Sequence, residues 1–493
     1  MATQNNLMTD SHTIVKSRPH NIALLWGIFF SFTIVTILLT VLVFAPERKL
    51  GATPAYYIGL VSHIIFLVTG IRLLKSTFPE FPVFLHPVVV FTGAFIATIM
   101  LPSTIAVIEN PDNPANTSLT SMNYDLTGLS MASYLTANLC LWFGYIMSNF
   151  NLPLTLAEPK LPAKYDRFLI CLIFIVIIYL LSSQVAGVTG YGQDKTKLEG
   201  SANLIAIFLL SNKLLIVISL IQAQRKIWPR WIAGLAVLLE LQMAVFSGVS
   251  GETIRIVILL GLTRYATRGV SKRDILIIVA GLLIVTIITI PTQESRRNSL
   301  GTASASFLEI YEDVFIHKES EQRDIYDTLK GKIVYRQVTI MFTPNILFET
   351  VPSEMEFLGF DQLILFPVHI VPRYFWPGKP NLSKGLWVNQ TLLGNSVDSQ
   401  SAAAISMIGD PYLYWGWPGI IMLFIVFGLF FAWILRIGTV RLPVYIALFI
   451  YYWGAAELTT TMLGLTQTLL VFELLYYLLN LCDGSAYSNR KAT

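Results

Sequence analysis

Apolar runs of roughly twenty residues recur along this chain, separated mostly by short polar segments. Each run is long enough to cross a hydrocarbon core of about 30 Å as an α-helix. Because every backbone polar group must be satisfied internally in lipid, these runs predict helices and not strands. The pattern predicts an all-α polytopic membrane protein with about twelve spans. The predicted spans are residues 21–44, 55–74, 82–101, 126–148, 167–185, 202–221, 230–246, 252–267, 274–291, 412–435, 441–457 and 461–481.

One long polar segment interrupts this pattern and divides the chain into three parts. Residues 1–291 hold the first nine spans, residues 292–411 form a large loop outside the membrane, and residues 412–493 hold the last three spans and a short tail. Within the loop, Phe307–Phe315 and Ile325–Phe348 carry apolar residues at helical spacing with charges between them. This spacing predicts amphipathic helices.

The positions of the charges predict how the chain is threaded. Lys and Arg in short loops are retained on the cytoplasmic side of a membrane. Such residues follow spans two, four, six, eight and ten, whereas the loop 102–125 carries Glu109, Asp112 and Asp125 without any Lys or Arg. We therefore expect both termini in the cytoplasm and the large loop on the outer face.

Composition narrows the class of protein further. With 54% hydrophobic and 13% charged residues, the 493-residue chain cannot form one soluble globule. The three cysteines and six histidines are scattered, so their spacing predicts neither a disulfide framework nor a metal site. Phosphate-binding loops, paired-histidine zinc motifs and nucleophile elbows are missing, which argues against ATP-driven pumping and zinc hydrolysis.

The clearest candidate for chemistry is the stretch Val371–Pro380, which reads VPRYFWPGKP. Its three prolines stiffen the backbone and so fix where Arg373 and Lys379 point. Arg binds phosphate oxygens through two parallel hydrogen bonds and Lys as a point charge, which suits the pyrophosphate of a lipid-linked substrate. The alternative is an interfacial belt, in which Tyr374 and Trp376 lie at headgroup depth and the cations snorkel.

Further charged residues lie near the predicted membrane boundary. Arg296 and Arg297 follow span nine on the outer side, where they would bind phosphate or simply snorkel at the helix end. Glu252 and Arg255 open the eighth span, and ionisable residues within a membrane usually pair or line a cavity. Either an intrahelical pair at i, i+3 or a substrate role for these two residues fits their spacing.

Two residues are candidate bases at the outer face. Asp410 precedes Pro411 at the entrance of span ten, where an N-cap with proline at the first helical position is the favoured interpretation. The same carboxylate can instead accept the proton of a sugar hydroxyl. His369 has a suitable intrinsic pKa and lies beside the cations, although a histidine in an apolar stretch is more often structural.

Three stretches carry a resemblance to a known family. Ser247–Arg255, Pro372–Pro380 and Gly409–Gly419 resemble the bacterial O-antigen (oligosaccharide repeat-unit) polymerase family, the Wzy type. The middle stretch is the most specific of the three. The layout of about a dozen spans with a large outer loop before the last few is also similar to that family.

This resemblance implies a GT-C-like membrane glycosyltransferase of the bacterial cytoplasmic (inner) membrane, in a superfamily that includes the O-antigen ligases. Such an enzyme transfers a growing chain from undecaprenyl pyrophosphate to a new lipid-linked repeat, without a metal or other cofactor. The expected partners are the lipid-linked donor and acceptor and the bilayer. Whether a chain-length regulator also binds stays open, and no nucleic acid is expected as a partner.

The resemblance also implies roles for the candidate residues. Asp410, or alternatively His369, would orient or deprotonate the acceptor hydroxyl. Cations would neutralise the pyrophosphate, and other residues would support the site. The implied cations are Arg373, Lys379, Arg296, Arg297 and Arg255, and the implied supporting residues are Glu252, Tyr412 and Trp376.

The sequence departs from the family pattern at two points. The family's arginine-x10-glycine signature is missing, because Lys384 stands at that spacing from Arg373. The usual glutamate before the tyrosine of the third stretch is replaced by Asp410. These departures bear on the roles of single residues more than on the class of enzyme.

Three rival functions stay open. An O-antigen ligase shares the topology but relies on an outer-loop His–Asn pair, and His369 is followed by Ile370. A transporter or flippase of lipid-linked sugars calls for ionisable residues deep in several spans and for broken helices. A non-catalytic scaffold of an export complex is the third. Because the charges cluster in the outer loop, the sequence favours an enzyme.

Overall fold

The structure is a computed structural model, and the part of the chain that it describes is entirely without β-strands. By length and composition, three of its helices can cross a membrane. The all-α prediction is therefore confirmed for this part, while the number of twelve spans and the GT-C-like fold stay predictions. The described residues are 26–34, 36–37, 52–77, 83, 86–110, 124–149, 213, 215–247, 250–268, 271–274, 276–277, 279–281, 334, 336–359, 387–388, 405–436, 466 and 470.

The helices are numbered here in chain order, leaving out the short helical segment at residues 26–37. All three helices that can span a membrane, α1, α2 and α9, overlap with predicted spans. The bounds are α1 Ala52–Thr77, α2 Pro87–Glu109, α3 Thr127–Asn149, α4 Leu215–Gln224, α5 Arg230–Ser247, α6 Ser250–Arg268, α7 Arg336–Thr350, α8 Ser406–Trp415 and α9 Trp417–Arg436.

Helix α2 differs from the predicted third span, which was placed at 82–101. Pro87 lies at its first turn, where proline is well tolerated, and the helix continues to Glu109. Pro102 cannot donate an N–H to the carbonyl four residues earlier, and the helix widens into a π turn at Ile96–Met100 just before it. The helix therefore continues through Pro102, beyond residue 101 where the predicted span ended.

Contacts at two levels fix the directions of α1, α2 and α3. At one level, the hydroxyl of Tyr56 near the start of α1 donates to the carbonyl of Met100 in the second half of α2. At the other level, Trp142 near the end of α3 packs on Phe66 at 5.7 Å between ring centroids, and its Nε1 donates to Thr92 Oγ1 at 3.2 Å. Gly59 and Gly70 on α1 lie against Met131 and Trp142 on α3, in the same order along both helices. Helices α1 and α3 therefore run in the same direction, and α2 runs in the opposite one.

Helix α9 packs backbone to backbone against α3. A Cβ atom on Gly144 would collide with the carbonyl of Ile425, and one on Gly428 would collide with the carbonyl of Leu141. Small residues at an interface allow this close approach, which replaces the missing hydrophobic driving force between helices in lipid. Glycine is therefore required at both positions for the observed packing of α3 and α9.

The ends of these helices fall into two groups. The rings of Phe91 in the first half of α2 and Phe431 near the end of α9 lie 6.0 Å apart. One side of the bundle thus holds the ends of α1, α3 and α9 and the start of α2. We call this side the basic end, because it includes Arg72, Lys75 and Arg436. The opposite side is called the far end. This arrangement agrees with the predicted threading, in which spans two, four and ten leave the membrane on the same side.

Helix α7 lies at the far end, within the segment predicted as an outer loop. It contacts α2, α3 and α8, and every residue from Met341 to Leu347 is buried. The prediction that Ile325–Phe348 is amphipathic is therefore wrong for this described part, because neighbouring helices cover all its faces. Helical spacing of apolar residues cannot distinguish a surface helix from one that is enclosed on several sides.

Helices α4 and α5 form a hairpin around a basic turn. Helix α4 ends at Gln224, α5 begins at Arg230, and Arg225 and Lys226 are exposed between them. These bounds confirm a break between predicted spans six and seven. Helix α5 then packs against α6, and Arg264 near the end of α6 forms a 3.4 Å ion pair with Asp274 across the next turn.

Candidate functional site

Helix α8 is a short helix enclosed by the protein at the far end of the bundle. Its residues 406–414 are all buried, and it contacts α3, α7 and α9. It ends at Gly416, whose φ of 66° turns the chain into α9. A side chain would be strained in that conformation and would also meet the ring of Phe357 at 3.0 Å. The predicted tenth span, 412–435, is therefore two helices with a break at Gly416.

Asp410 lies in the middle of α8 and not at its start. The prediction that Asp410 is an N-cap with Pro411 at the first helical position is wrong, because α8 begins four residues earlier and Pro411 lies inside it. The hydroxyl of Ser406 accepts the N–H of Gly409 at 3.2 Å and so takes the capping role. Asp410 is 0% exposed, which places a carboxylate in the interior of the far end.

The last carbonyls of α8 bond to the segment that follows α7. Leu358 N–H donates to Leu413 O at 2.9 Å, and Gly359 N–H donates to Tyr414 O at 3.1 Å. A helix end leaves its last carbonyls without helical partners, which is costly in a buried position. These two bonds satisfy the end of α8 and tie it to the chain that leads toward Val371–Pro380.

Tyr412 fixes α8 to the end of α7. Its hydroxyl donates to Val351 O at 2.9 Å, and its ring packs edge-on against Phe348 at 4.5 Å between centroids. Burial raises the pKa of the Tyr412 hydroxyl, so this group stays a protonated donor at neutral pH. Tyr412 thus holds the helix that carries Asp410, and its supporting role in a substrate site stays a prediction.

Buried polar groups join α3 to α7 at the same end. Asn345 Nδ2 donates to Thr127 Oγ1 at 3.5 Å, and the hydroxyl of Ser130 donates to Asn345 Oδ1. All three residues are fully buried. Buried side-chain amides and hydroxyls that satisfy one another specify a single packing arrangement.

One protein family matches most of this chain. The family described as "Domain of unknown function (DUF8712)" matches residues 55–439, from the first turn of α1 to just beyond the end of α9. The chain belongs to this family. Its description names no activity. The chain matches no curated protein and no solved structure.

The DUF8712 region contains every residue of the candidate site. It includes α8, the polar groups of α3 and α7, and the whole segment predicted as the outer loop. Predicted span one and the last two predicted spans lie largely or wholly outside it. The unit shared within the family is therefore the bundle together with the far-end helices.

Most predicted site residues fall outside the described part of the DUF8712 region. Only Asp410 and Tyr412 are fully described, and they lie on one helix. Glu252 and Arg255 lie on α6, with only their helical backbone described. Their grouping into one site stays a prediction. The predicted site residues outside the described ranges are Arg296, Arg297, His369, Arg373, Trp376 and Lys379.

Anchored residues nevertheless lie on both sides of the cation-rich stretch. Gly359, bonded to α8, precedes the stretch, while Trp387 and Val388 follow it. Val388 is buried in the same apolar core as α7 and α8, and Trp387 packs against that core. Residues on both sides of the chain that contains Arg373 and Lys379 therefore belong to the packed part of the protein.

Sequence reasoning missed a buried ion pair. Lys213 Nζ lies 2.8 Å from Glu240 Oε1, with side chains 9% and 8% exposed. Both residues interrupt apolar runs, in predicted spans six and seven, and this interruption was the available signal. Charged residues therefore lie in the α4–α5 hairpin as well as in the predicted outer loop, and the prediction that they cluster in that loop is wrong for this hairpin.

The described residues also limit where a metal could be held. Among them, no three His, Cys, Asp or Glu side chains are grouped closely enough to bind a metal ion. Tyr134 had no sequence signal, because its partner Ile340 comes from a distant segment. The bond from Gly409 N–H to the Ser406 hydroxyl is local, and sequence reasoning missed it because it gave the capping role to Asp410.

Proposed function

We propose that this protein is a membrane glycosyltransferase that polymerises undecaprenyl-pyrophosphate-linked oligosaccharide repeats into a surface polysaccharide. The observation that carries the proposal is the fully buried Asp410 on a short helix that is hydrogen-bonded to the segment leading into Arg373 and Lys379. This arrangement supports a carboxylate and a phosphate-binding stretch at one end of the molecule. The resemblance of three stretches to the Wzy-type polymerases supplies the reaction class.

The chemistry follows from an activated donor. The oxygen of an acceptor sugar hydroxyl attacks the anomeric carbon of the donor chain, and the bond from that carbon to the pyrophosphate oxygen breaks. Undecaprenyl pyrophosphate leaves with the electron pair, and the hydroxyl proton passes to Asp410. Arg373, Lys379 and the pair Arg296 and Arg297 stabilise the charge that develops on the leaving group.

The sidedness of the bundle supports an outer-face site. Helix α8 precedes α9, which runs from the far end to the basic end. Since Lys and Arg are concentrated on the cytoplasmic side, the far end is the extracytoplasmic end in this proposal. Lipid-linked repeats presented on the outer leaflet would meet α8 there.

One observation favours a second candidate function, a transporter or flippase of lipid-linked sugars. The Lys213–Glu240 pair is buried, and by helical rise Lys213 lies roughly 18 Å from the basic turn between α4 and α5. That depth is about the middle of a hydrocarbon core. Ionisable residues at such depth are typical of transport pathways.

Deletion of the gene separates the candidate functions by their products. A polymerase deletion leaves single repeats attached to the surface lipid, a ligase deletion leaves none attached, and a flippase deletion leaves lipid-linked repeats on the cytoplasmic face. We expect single attached repeats on gels of the surface polysaccharide. Normal long polymer in the deletion strain would overturn the proposal.

The Arg373→Ala variant tests the phosphate-binding part. Expressed in the deletion strain, it should restore no polymer, although the protein accumulates in the membrane at the normal level. Arg373→Lys should also fail, because Lys cannot make the two parallel hydrogen bonds to a phosphate. Lys384→Ala in the same loop serves as the control, since Lys384 has no assigned role. Polymer of normal length from Arg373→Ala would refute this role.

A further inference from the structure

The first residue of α8 has an unusual backbone. Ser406 has a φ of 66°, in the left-handed region that residues with a side chain seldom adopt. Such conformations persist only where the surroundings impose them, and they concentrate at functional sites. Ser406 is also 3% exposed, so neighbouring protein groups and not solvent hold it in place.

The side chain of Ser406 controls the backbone that leads into Asp410. Its hydroxyl accepts the N–H of Gly409, the residue directly before Asp410. Ser406 and Asp410 are four residues apart, so they lie on the same face of α8. Packing adds to this restraint, because a Cβ on Gly409 would meet side-chain atoms of Leu347 and Ile405 at 2.6 and 2.8 Å.

A tyrosine from α3 connects this turn to α7. The hydroxyl of Tyr134 donates to Ile340 O at 3.3 Å, and the side chain of Ser406 lies close enough to the same hydroxyl to interact with it. Pro344 has no N–H to give to the carbonyl four residues earlier, so the Tyr134 hydroxyl supplies a donor that α7 lacks. Helices α3, α7 and α8 therefore meet at one phenol group.

Ordinary helix capping does not require this arrangement. At Ser271 the hydroxyl also accepts an N–H three residues on, from Asp274 at 3.2 Å, and the Asp274 carboxylate accepts the Ser271 N–H at 2.9 Å. That cap is exposed and is completed within four residues. The turn at Ser406 is instead buried, has a positive φ, and depends on a residue of α3.

We propose that Ser406, held by Tyr134, is a positioning residue that sets the direction of the Asp410 carboxylate toward the acceptor hydroxyl. This inference rests on the proposed function, since it assigns a task to Ser406 in the same reaction. The hydroxyl of Ser406 acts through the backbone of the first turn and does not touch the substrate. Its loss therefore lowers the rate of the chemical step and leaves substrate binding unchanged.

Two substitutions of Ser406 separate positioning from stability. Ser406→Ala removes the hydroxyl and keeps the strained backbone, whereas Ser406→Gly removes the hydroxyl and relieves the strain. A merely structural role therefore predicts that the glycine variant is the better of the two in both stability and rate. A positioning role predicts equal losses of rate, whatever the order of their melting temperatures.

The experiment uses the full chain, purified and reconstituted in liposomes. The substrate is the single lipid-linked repeat extracted from cells that lack this protein, and the readout is the initial rate of polymer formation against substrate concentration. Both Ser406 variants should lose about tenfold to a hundredfold in kcat, the range that a small misplacement of a reacting group can cause. Their KM should stay within about twofold of the wild-type value.

Two further variants complete the test. Ser103→Ala removes an equally buried hydroxyl that donates only to Ile99 O of its own helix at 2.7 Å, and it should keep the full rate. Asp410→Asn should be inactive. If Asp410→Asn is inactive while both Ser406 variants keep the wild-type kcat, the positioning inference is overturned and the proposed function stands. If Asp410→Asn polymerises normally, the proposed role of Asp410 fails and the inference fails with it.

Discussion

Two buried acidic side chains in this protein have contrasting surroundings. Glu240 lies in the α4–α5 hairpin, 2.8 Å from Lys213, so its charge is balanced by a direct ion pair. Asp410 lies on a ten-residue helix at the far end, whose last carbonyls accept hydrogen bonds from the segment after α7 and whose first turn is capped by the Ser406 hydroxyl. The first region holds a charge beside an opposite charge, and the second holds a buried acidic residue on a helix that is tied to its neighbours.

This difference separates two roles for buried charge. A close ion pair gains little net stability from burial, but breaking it leaves an uncompensated charge in the interior. A carboxylate on a rigid short helix is suited to proton transfer, because its position is set before a substrate arrives. We therefore expect loss of Asp410 to affect the reaction and loss of Lys213 to affect folding.

The largest expected effect is that of Asp410→Asn on polymer formation. The amide has nearly the same shape but cannot accept the proton, and loss of a general base typically costs about 10²- to 10⁴-fold in rate. The measurement is the length and amount of polymer from the deletion strain that expresses the variant. Its melting temperature in detergent should stay close to that of the wild type. Polymer of wild-type length and amount from this variant would contradict the role of Asp410 in the reaction.

The next effect is that of Lys213→Ala on stability. Removal of one partner leaves Glu240 buried with its charge uncompensated, which typically costs about 3–5 kcal/mol. Thermal unfolding in detergent measures the loss.

The matched control is the double variant Lys213→Met with Glu240→Leu, which removes both charges. It should recover most of the stability, because burial of two apolar side chains replaces the pair. If the double variant is stable but forms no polymer, the pair takes part in function and the second candidate function gains support.

A smaller effect is expected at the contact between α3 and α9. Gly428→Val places a side chain where the backbone of α3 lies, and overpacking of this kind typically costs about 1–3 kcal/mol. Gly234→Ala on α5 is the control, because no atom lies within 4 Å of the added Cβ. It should be neutral or stabilising by up to about 1 kcal/mol, since alanine favours helices more than glycine. Equal melting temperatures for the two variants would refute the close packing.

An effect of similar size on stability is expected for Tyr412→Phe. The variant leaves the buried Val351 carbonyl without the hydroxyl that donates to it, a loss of about 1–3 kcal/mol. Polymer formation should fall only as far as the amount of folded protein falls, because Tyr412 holds α8 without taking a proton. Tyr57→Phe, at a half-buried position on α1, is the comparison and should be nearly neutral. A rate loss that exceeds the loss of folded protein would place Tyr412 in the reaction itself.

Sequence patterns located helices more reliably than they located their ends. Helices α1, α3 and α5 match predicted spans within about three residues, because each is an apolar run with polar flanks. Helix α2 was placed too early, since the π turn carries the helix past Pro102. The break at Gly416 was missed, because the apolar pattern continues through it and only a positive φ marks it.

The candidate site was less predictable than the helices. The stretch before α9 was singled out as part of a candidate site, which stays a prediction, and the usual preference for aspartate before proline at a helix start gave the wrong position for Asp410. The Lys213–Glu240 pair was visible only as two interruptions of apolar runs, with no indication that they meet. His369, Arg373 and Lys379 stay predictions, because they lie outside the described residues.

The sequence by itself determined that the described part of the chain forms helices, three of them long and apolar enough for a membrane, and that the basic ends of α1 and α9 lie on the same side. Both properties come from composition within about twenty consecutive residues, so they are local. Tertiary structure alone decided the surroundings of Asp410. Tyr134 and Ile340 are 206 positions apart, and Ser130 and Asn345 are 215 apart. Hydrogen bonds over such separations depend on how the helices pack, which no local pattern of apolar residues specifies.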